Sequence, residues 1–472
     1  MNIALINPKL KTWSPNVYLP LGLAYIASAL DGDKHSVKIL DLNSQRMSDN
    51  KLVKELSQTD IIGITGMITE YNEVVRLSEI VKISNAKAKI VLGGALATTH
   101  TDKLLSTSMA DVAVIGEGER TIVEIVKATN SSGDFSNIKG IAYKSNGEVK
   151  VNTLREPIKN IDSISYPARH FFDMSHYTTH HFKSFGMKIP KIKSTTLISS
   201  RGCPYFCSFC FHDVWGHKWR GRSPDNIIGE IKILKSQGFN GFVFNDDTFV
   251  VDRNRVLEFC GKLKESELNI NWYCNGRVNL MSDEMLEAMS ESGCKGIAYG
   301  IESGNQGILD SVKKRITLEQ VERVTELTKK YGIHVTGYFM VGILGDSVKT
   351  IQQTIDFARK LNLDFYGFAM TSPIHGTSMY NEAKVKGLIA DKELEDWSFN
   401  ASVNMTTDCD NDRLEKFNKD AFTEFTIEKR YGKHYLLNPL LWLNGFRSLL
   451  FLIGKRSYVL LLKKAWGVIV SK

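Results

Sequence analysis

The chain has 472 residues, 43% of them hydrophobic and 24% charged, which is enough apolar material for two or three domains and excludes a disordered chain. Its net charge of +8 comes from a modest excess of Lys and Arg spread along the chain, so no basic block marks it for nucleic acid. Seven cysteines, an odd number, and an N-terminus without a basic n-region argue against a secreted disulfide framework and set the expectation of a reducing cytoplasm.

From Met1 to about Thr129, short β-rich runs alternate with amphipathic helices. Strands are expected at Ile3–Ile6, Val37–Leu40, Ile61–Thr65, Ile90–Leu92 and Val112–Ile115, and helices include Leu21–Ala29, Tyr71–Ser84 and Thr121–Lys127. Apolar strands separated by helices predict a parallel sheet covered on both faces, a doubly wound, Rossmann-like α/β domain over 1–130. Ligands of such domains sit beyond the carboxyl ends of the strands. Those ends carry Thr65-Gly66-Met67, Gly93-Gly94-Ala95 and Gly116-Glu117-Gly118-Glu119. Glycine there lets backbone approach a large flat ligand. Any one of these loops also reads as an ordinary strand–helix turn, but three on one rim mark a binding face.

Residues 131–194 are irregular, with a hairpin over Gly140–Val151 turning at Ser145-Asn146-Gly147 and then a polar stretch containing Tyr166-Pro167. They read as a linker and interdomain bridge. Alternation resumes with strands at Thr195–Ser199, Gly241–Asn245, Asn271–Cys274, Gly296–Gly300, His334–Val341 and Phe365–Thr371. Successive β/α units over 195–380 predict a parallel barrel or partial barrel, with its chemistry at the C-terminal rim of the strands. Residues 381–472 are expected to form a helical C-terminal region. There Leu436–Val470 is rich in Leu, Trp and Phe, but Asn444, Arg447, Lys455, Arg456, Lys463 and Lys464 interrupt it. No run approaches the roughly 20 apolar residues of a membrane span. Trp442, Phe446, Phe451 and Trp466 among basic residues suit an interfacial helix, which would mean peripheral membrane contact and a lipid or isoprenoid substrate. The plainer reading is that they cap the barrel.

Three cysteines, Cys203, Cys207 and Cys210, lie on one loop directly after a predicted strand, while Cys260, Cys274, Cys294 and Cys409 are scattered and read as core residues. Thiolates are the usual ligands of iron–sulfur clusters, and three of them leave one iron of a cubane open to a substrate. A zinc site completed by His212 or His217 is the alternative, against which stands the absence of paired C-x₂₋₄-C halves. Both histidines read more simply as polar loop residues.

The spacing C-x₃-C-x₂-C, with an aromatic residue before the last cysteine, resembles the radical S-adenosylmethionine superfamily, and the resemblance runs from Thr195 to about Tyr380. It implies a partial (β/α)₆ barrel, Cys203, Cys207 and Cys210 as ligands of a [4Fe-4S] cluster, and Phe209 as an aromatic near S-adenosylmethionine. More loosely it implies contacts to that cofactor from Asn245 and Asp246, where Asn245-Asp246-Asp247 replaces the common Gly-Gly-Glu pattern. Arg277 and Glu302 resemble positions that bind its carboxylate and ribose, and Gly342 a position bordering adenine. For each acid, a helix cap or solvated turn is the alternative.

The first domain is similar to the cobalamin-binding domain fused ahead of the barrel in one large class of this superfamily, through Pro20–Ala27, the Gly93-Gly94 loop and Asp111–Glu119. That resemblance implies cobalamin contacts at Thr65, Gly66, Met67, Gly93, Gly94, Gly116, Glu117 and Gly118. No Asp-x-His-x-x-Gly element is present, His100 reads as a surface or capping residue, and cobalamin is expected without a strong protein ligand below cobalt. The two resemblances together imply an enzyme that generates a 5′-deoxyadenosyl radical to methylate an unactivated carbon, with a small-molecule substrate and an external one-electron reductant such as flavodoxin or ferredoxin. Members resembling the anaerobic magnesium-porphyrin cyclase imply cyclisation, oxidation or rearrangement instead. A corrinoid-sensing protein is the non-enzymatic alternative.

Overall fold

The computed structural model describes residues 1–10, 18–31, 35–45, 47–131, 133–178, 180–212, 214–389 and 403–428. The aromatic and basic tail beyond residue 428, and the membrane contact read from it, lie outside the described residues.

Five parallel strands, β1 (Asn2–Asn7), β2 (Ser36–Asp41), β3 (Ile61–Thr65), β4 (Lys89–Gly93) and β5 (Val112–Val114), build the first domain in the order β2-β1-β3-β4-β5. Chain order reverses between β1 and β3, so the connections leave the sheet in opposite directions there and open a crevice at the strand carboxyl ends. The strands are buried on both faces, by Leu77 and Leu104 on one side and by Leu23 and Ile125 on the other. The expected hairpin is present as β6 (Ile141–Ser145) and β7 (Glu148–Val151), but it is the antiparallel edge of this first sheet and not a free bridge. Asn146 and Gly147 at its turn have φ of 52° and 84°, the paired left-handed geometry that a two-residue hairpin requires. Pairing with β6 also covers an edge that the three residues of β5 would otherwise leave open.

The second sheet is built from β8 (Ser194–Leu197), β11 (Gly241–Phe244), β12 (Asn271–Gly276), β13 (Cys294–Glu302), β14 (His334–Val341) and β15 (Phe365–Met370). Two short strands between them, β9 (Ser200–Arg201) and β10 (Arg220–Gly221), pair antiparallel on their own. The six parallel strands follow one another in chain order. Right-handed crossovers in one direction put every helix on the same face, so the sheet curls into a partial barrel. The convex face carries the main core, where Phe244, Phe249, Phe259 and Trp272 pack at ring separations of 4.7 to 5.8 Å. The concave face is plugged by the segment after Tyr177. Phe182 is fully buried there against Val243, Tyr273 and Ala298.

Buried ion pairs join the two domains. Arg201 in β9 reaches Glu117 at 2.7 Å and Glu119 at 2.5 Å, and Arg220 in β10 reaches Glu117 at 2.9 Å. The Ile158 amide donates to the same Glu117 carboxylate at 2.6 Å. Burial would raise the pKa of Glu117, but Arg201, Arg220 and the Ile158 amide outweigh it and hold the carboxyl below its ordinary value. These partners occupy the Glu117 carboxylate, while the residue also lines the slot at the first domain's strand ends. Its charge orients the two domains.

Candidate active site

The cysteine loop leaves β9 through Gly202, whose φ is +81°. A Cβ there would meet the Lys218 carbonyl oxygen at 2.6 Å, so glycine lets the loop fold back on itself. The Cys203 amide donates to the Gly216 carbonyl and the Cys210 amide to the Cys207 carbonyl, at 3.4 and 3.0 Å. Outside the loop, Ser208 donates to Val312, and Met379 donates to Ser208, at 3.0 and 2.9 Å. These bonds tie it to the segments following β13 and β15.

Cys203 Sγ lies 3.8 Å from Thr248 Oγ1, and Cys207 Sγ lies 3.7 Å from Arg277 Nη1. Cys210 is open on one side, yet the protein around it desolvates the thiol. Desolvation, followed by Cys207, Cys203 and Asp247, pushes its pKa up to about 12. A third thiol that the protein alone keeps protonated is suited to a cationic metal centre, which supplies the missing positive charge on binding. Among the described residues no three His, Cys, Asp or Glu side chains converge as a single ion requires; a cubane makes a different demand, one thiolate per iron. The rings of His212 and His217 lie 4.4 Å apart at a tilt of 41°, and His217 stacks on Phe206 at 4.0 Å.

The acids after β11 divide differently from the expectation. Asp246 is fully buried and accepts from the Ser199 amide at 2.6 Å and from the Ser199 and Ser200 hydroxyls at 2.5 and 2.7 Å. Its carboxylate therefore fastens the end of β8 to β11, with these bonds made inside the protein. The residues on either side, Asn245 and Asp247, are the exposed ones. Desolvation, with Asp246 adding, raises the Asp247 carboxyl to about 6.

Arg277 stacks over Tyr205 at 3.7 Å and donates to the Lys314 carbonyl, so its guanidinium braces the cysteine loop. Glu302 closes a bulge between β13 and β14 with φ +68°. The bulge re-aims the side chain, and Glu302 Oε1 meets Lys314 Nζ at 2.6 Å in a buried pair. Lys314 Nζ also lies 5.7 Å over the Phe209 ring, so Phe209, Glu302 and the cysteine loop share one wall. Gly342, φ +78°, makes a tight turn against Leu414. Asp247 and Lys314 are the members of this wall that sequence reasoning did not single out.

In the first domain a slot of about 190 Å³ runs from the strand carboxyl ends down between the sheet and the helix Leu21–Leu30. Thr65, Gly93, Gly94 and the run Gly116, Glu117, Gly118 and Glu119 line its rim, Leu5, Leu23 and Ile122 its depth. A Cβ at Gly94 would meet Thr65 Oγ1 at 2.6 Å, and one at Gly118 would meet Ile26 Cδ1 at 2.8 Å. The space is narrow and apolar. It suits a slender appendage of a large ligand whose body rests on the glycine rim. Gly66 and Met67 are not on its wall: Gly66 packs under Val74, and the Met67 amide donates to Glu70 at 2.9 Å. Arg201 and Trp215 close the mouth from the barrel side. His100 is half-buried and caps through its backbone, its amide donating to the Leu96 carbonyl at the end of the helix Gly94–Thr99 and its carbonyl accepting from the Leu104 amide in the helix Thr101–Thr107. Its ring nitrogens meet Thr99 at 2.7 Å and His375, in the segment after β15, at 3.0 Å.

Residues 197–358 match the radical SAM superfamily model, and residues 12–126 match the B12 binding domain model. An uncharacterized methyltransferase of Pyrococcus horikoshii is 32% identical over 375 residues, spanning 78% of this chain and 79% of that protein. The anaerobic magnesium-protoporphyrin IX monomethyl ester cyclase of Rubrivivax gelatinosus is 28% identical, spanning 83% and 72%. In fold, the chain is similar to the radical S-adenosylmethionine methyltransferase TsrM of Kitasatospora setae, solved with cobalamin and a [4Fe-4S] cluster. The TM-score is 0.68 at 18% identity, over 86% of this chain and 80% of that one.

Proposed function

The chain belongs to the radical S-adenosylmethionine superfamily, in the class that carries a B12-binding domain, and we propose that it methylates an unactivated carbon of a small-molecule substrate. It is an enzyme of [4Fe-4S] cluster, S-adenosylmethionine and cobalamin. Bound together, these cofactors supply reductive cleavage of S-adenosylmethionine, hydrogen abstraction and a transferable methyl group. The protein positions them and keeps water out.

In this reading Cys203, Cys207 and Cys210 hold the cluster, and Arg277 beside Cys207 Sγ offsets the negative charge that three thiolates bring. Asn245, Asp247, Arg277, Glu302, Phe209 and Gly342 border S-adenosylmethionine. Asp247 is ionised above about pH 6, the form that would accept from an ammonium. Thr65, Gly93, Gly94, Gly116 and Gly118 receive cobalamin. Residues 1–153, hairpin included, act as the corrinoid unit, and 194–380 as the radical core.

One observation carries the proposal. Trp215, on the cysteine loop, lines the slot of the first domain, so the groups proposed for the two cofactors share one interface, as methyl transfer onto a radical formed beside the cluster requires. The methyltransferase name of the Pyrococcus relative supports this, and the cyclase name of the Rubrivivax relative supplies the second reading.

The test is anaerobic turnover with S-adenosylmethionine, cobalamin, a strong reductant and a small-molecule extract of the host. Methylation yields 5′-deoxyadenosine and S-adenosylhomocysteine in comparable amounts. Cyclisation or rearrangement yields the first without the second, and formation of neither would remove the radical assignment.

A further inference from the structure

The amino-terminal end of the barrel, opposite the rim that carries the cysteine loop, is closed by residues 180–193. Phe185 packs on Phe365, which opens β15, at 4.8 Å, and the Lys193 amide donates to Asn240, just ahead of β11, at 2.8 Å. Apolar and basic residues interleave along this segment. Met187, Ile189 and Ile192 pack on the cluster of Phe182, Val243, Tyr273 and Ala298, while Lys183, Lys188 and Lys191 stay exposed.

Both sets line an open cavity of about 470 Å³. That is the size of an ordinary small-molecule site, in which apolar walls cover most of the ligand and a few polar groups orient it. Among the described residues no carboxylate lines it, and Lys188 and Lys191 are in no ion pair. Exposed lysines elsewhere are commonly matched: Lys262, Lys264 and Lys360 meet carboxylates at 2.5 to 2.9 Å. The wall is also held in shape. Phe182 is fully buried against three strands of the barrel, so close packing behind it keeps the cavity from collapsing inward. Lys191 is left-handed, with φ of 51°, a conformation that a side chain with a Cβ rarely adopts. The Asn240 side-chain amide donates to the Lys191 carbonyl at 3.2 Å and fixes that turn at the rim.

We propose that this cavity binds an amphiphilic anion, a phosphate monoester carrying an apolar chain. The chain lies on Phe182, Met187, Ile189 and Ile192, where its burial drives binding. The phosphate sits among Lys183, Lys188 and Lys191. Lysine meets phosphate as a point charge on a flexible stem, which suits side chains that remain in solvent. The site is separate from the proposed cofactor contacts, which belong to the carboxyl ends of the two sheets.

The test uses full-length protein reconstituted with cluster and cobalamin, titrated calorimetrically with decyl phosphate below its micelle-forming concentration. Wild type should bind it at least about tenfold more tightly than decyl maltoside, which lacks the charge, or inorganic phosphate, which lacks the chain. The triple variant Lys183→Gln, Lys188→Gln, Lys191→Gln should lose about tenfold or more in decyl phosphate affinity, with an unchanged melting temperature showing that its fold is kept. Ile189→Ala should weaken decyl phosphate severalfold and leave inorganic phosphate as it was. Equal decyl phosphate affinity in wild type and both variants would overturn the site. So would decyl maltoside or inorganic phosphate binding as tightly as decyl phosphate. Vesicles of phosphatidylcholine and phosphatidylglycerol supply the last arm. Lysine-dependent co-sedimentation with them, without binding of monomeric decyl phosphate, would assign the lysines to a membrane surface and overturn the proposal.

Discussion

At the scale of single residues, the pair Asp246 and Asp247 is the most instructive. Neighbouring acids at a strand end face opposite ways, and here the first is spent on Ser199 and Ser200 while the second stays open. An Asp whose folded pKa is raised to about 6 from 3.8 is destabilising when ionised. That penalty is absent below the unfolded value and fully present above about pH 6. Asp247→Asn should therefore raise the melting temperature of the apoprotein at pH 7.5 while weakening S-adenosylmethionine binding about tenfold or more, roughly one charge-assisted hydrogen bond. Calorimetry and equilibrium dialysis check the two halves, and a variant that is neutral in both contradicts the role. The cysteine loop itself was legible, because its motif is a local spacing in the sequence. Which of two adjacent acids stays open was not, since it depends on which side of β11 carries the serine hydroxyls of a different segment. The same holds for Glu117, whose partners Arg201 and Arg220 are far away in sequence.

At the scale of elements, the glycine rim and the ion pairs make separable predictions. Gly118→Val places branched carbon where Ile26 already stands at 2.8 Å from the added Cβ. It should abolish cobalamin binding, read from the visible spectrum of gel-filtered protein, while iron and sulfide content stay at wild-type levels. Glu117→Gln strands Arg201 and Arg220 with one charge fewer in a buried interface. Breaking such a buried pair costs about 3–5 kcal/mol, so chemical denaturation should show loss of that order, or a first transition in which the domains separate. An unchanged denaturation curve would contradict the bridging role. The regular strands of both sheets were foreseen from alternation of apolar runs with helices. The hairpin was seen as a hairpin but misplaced, because nothing local says that its partner is a three-residue strand. The plug at Phe182 was missed altogether, since Phe182 and Phe185, set among histidines and lysines in an irregular segment, form too short a pattern to carry a periodic signal.

At the scale of the whole molecule, the two domains close on each other through charged pairs at one side and the imidazoles of His100 and His375 at another. Burial, followed by His375 and Lys103, lowers the His100 pKa to about 4 from 6.5, and burial does the same to His181 in the plug. A histidine whose folded pKa is depressed favours the unfolded state once protons can bind there. Stability should thus be undiminished above about pH 6.5 and fall as pH drops toward about 4. Thermal melts across that window check it, and His100→Gln with His181→Phe should flatten the acid limb. Melting temperatures of wild type that do not fall between those values would contradict the burial of both imidazoles.

The central claim is that three thiolates of one loop hold a cluster with an iron left open to S-adenosylmethionine. Its most direct measurement is EPR of the dithionite-reduced, reconstituted protein before and after S-adenosylmethionine is added, with iron counted in the same samples. Such a cluster gives about four irons per chain, a signal whose g-values shift when the cofactor binds, and loss of both in Cys207→Ala. A fully loaded protein whose signal ignores S-adenosylmethionine, or a Cys207→Ala protein that keeps the wild-type cluster, would contradict it.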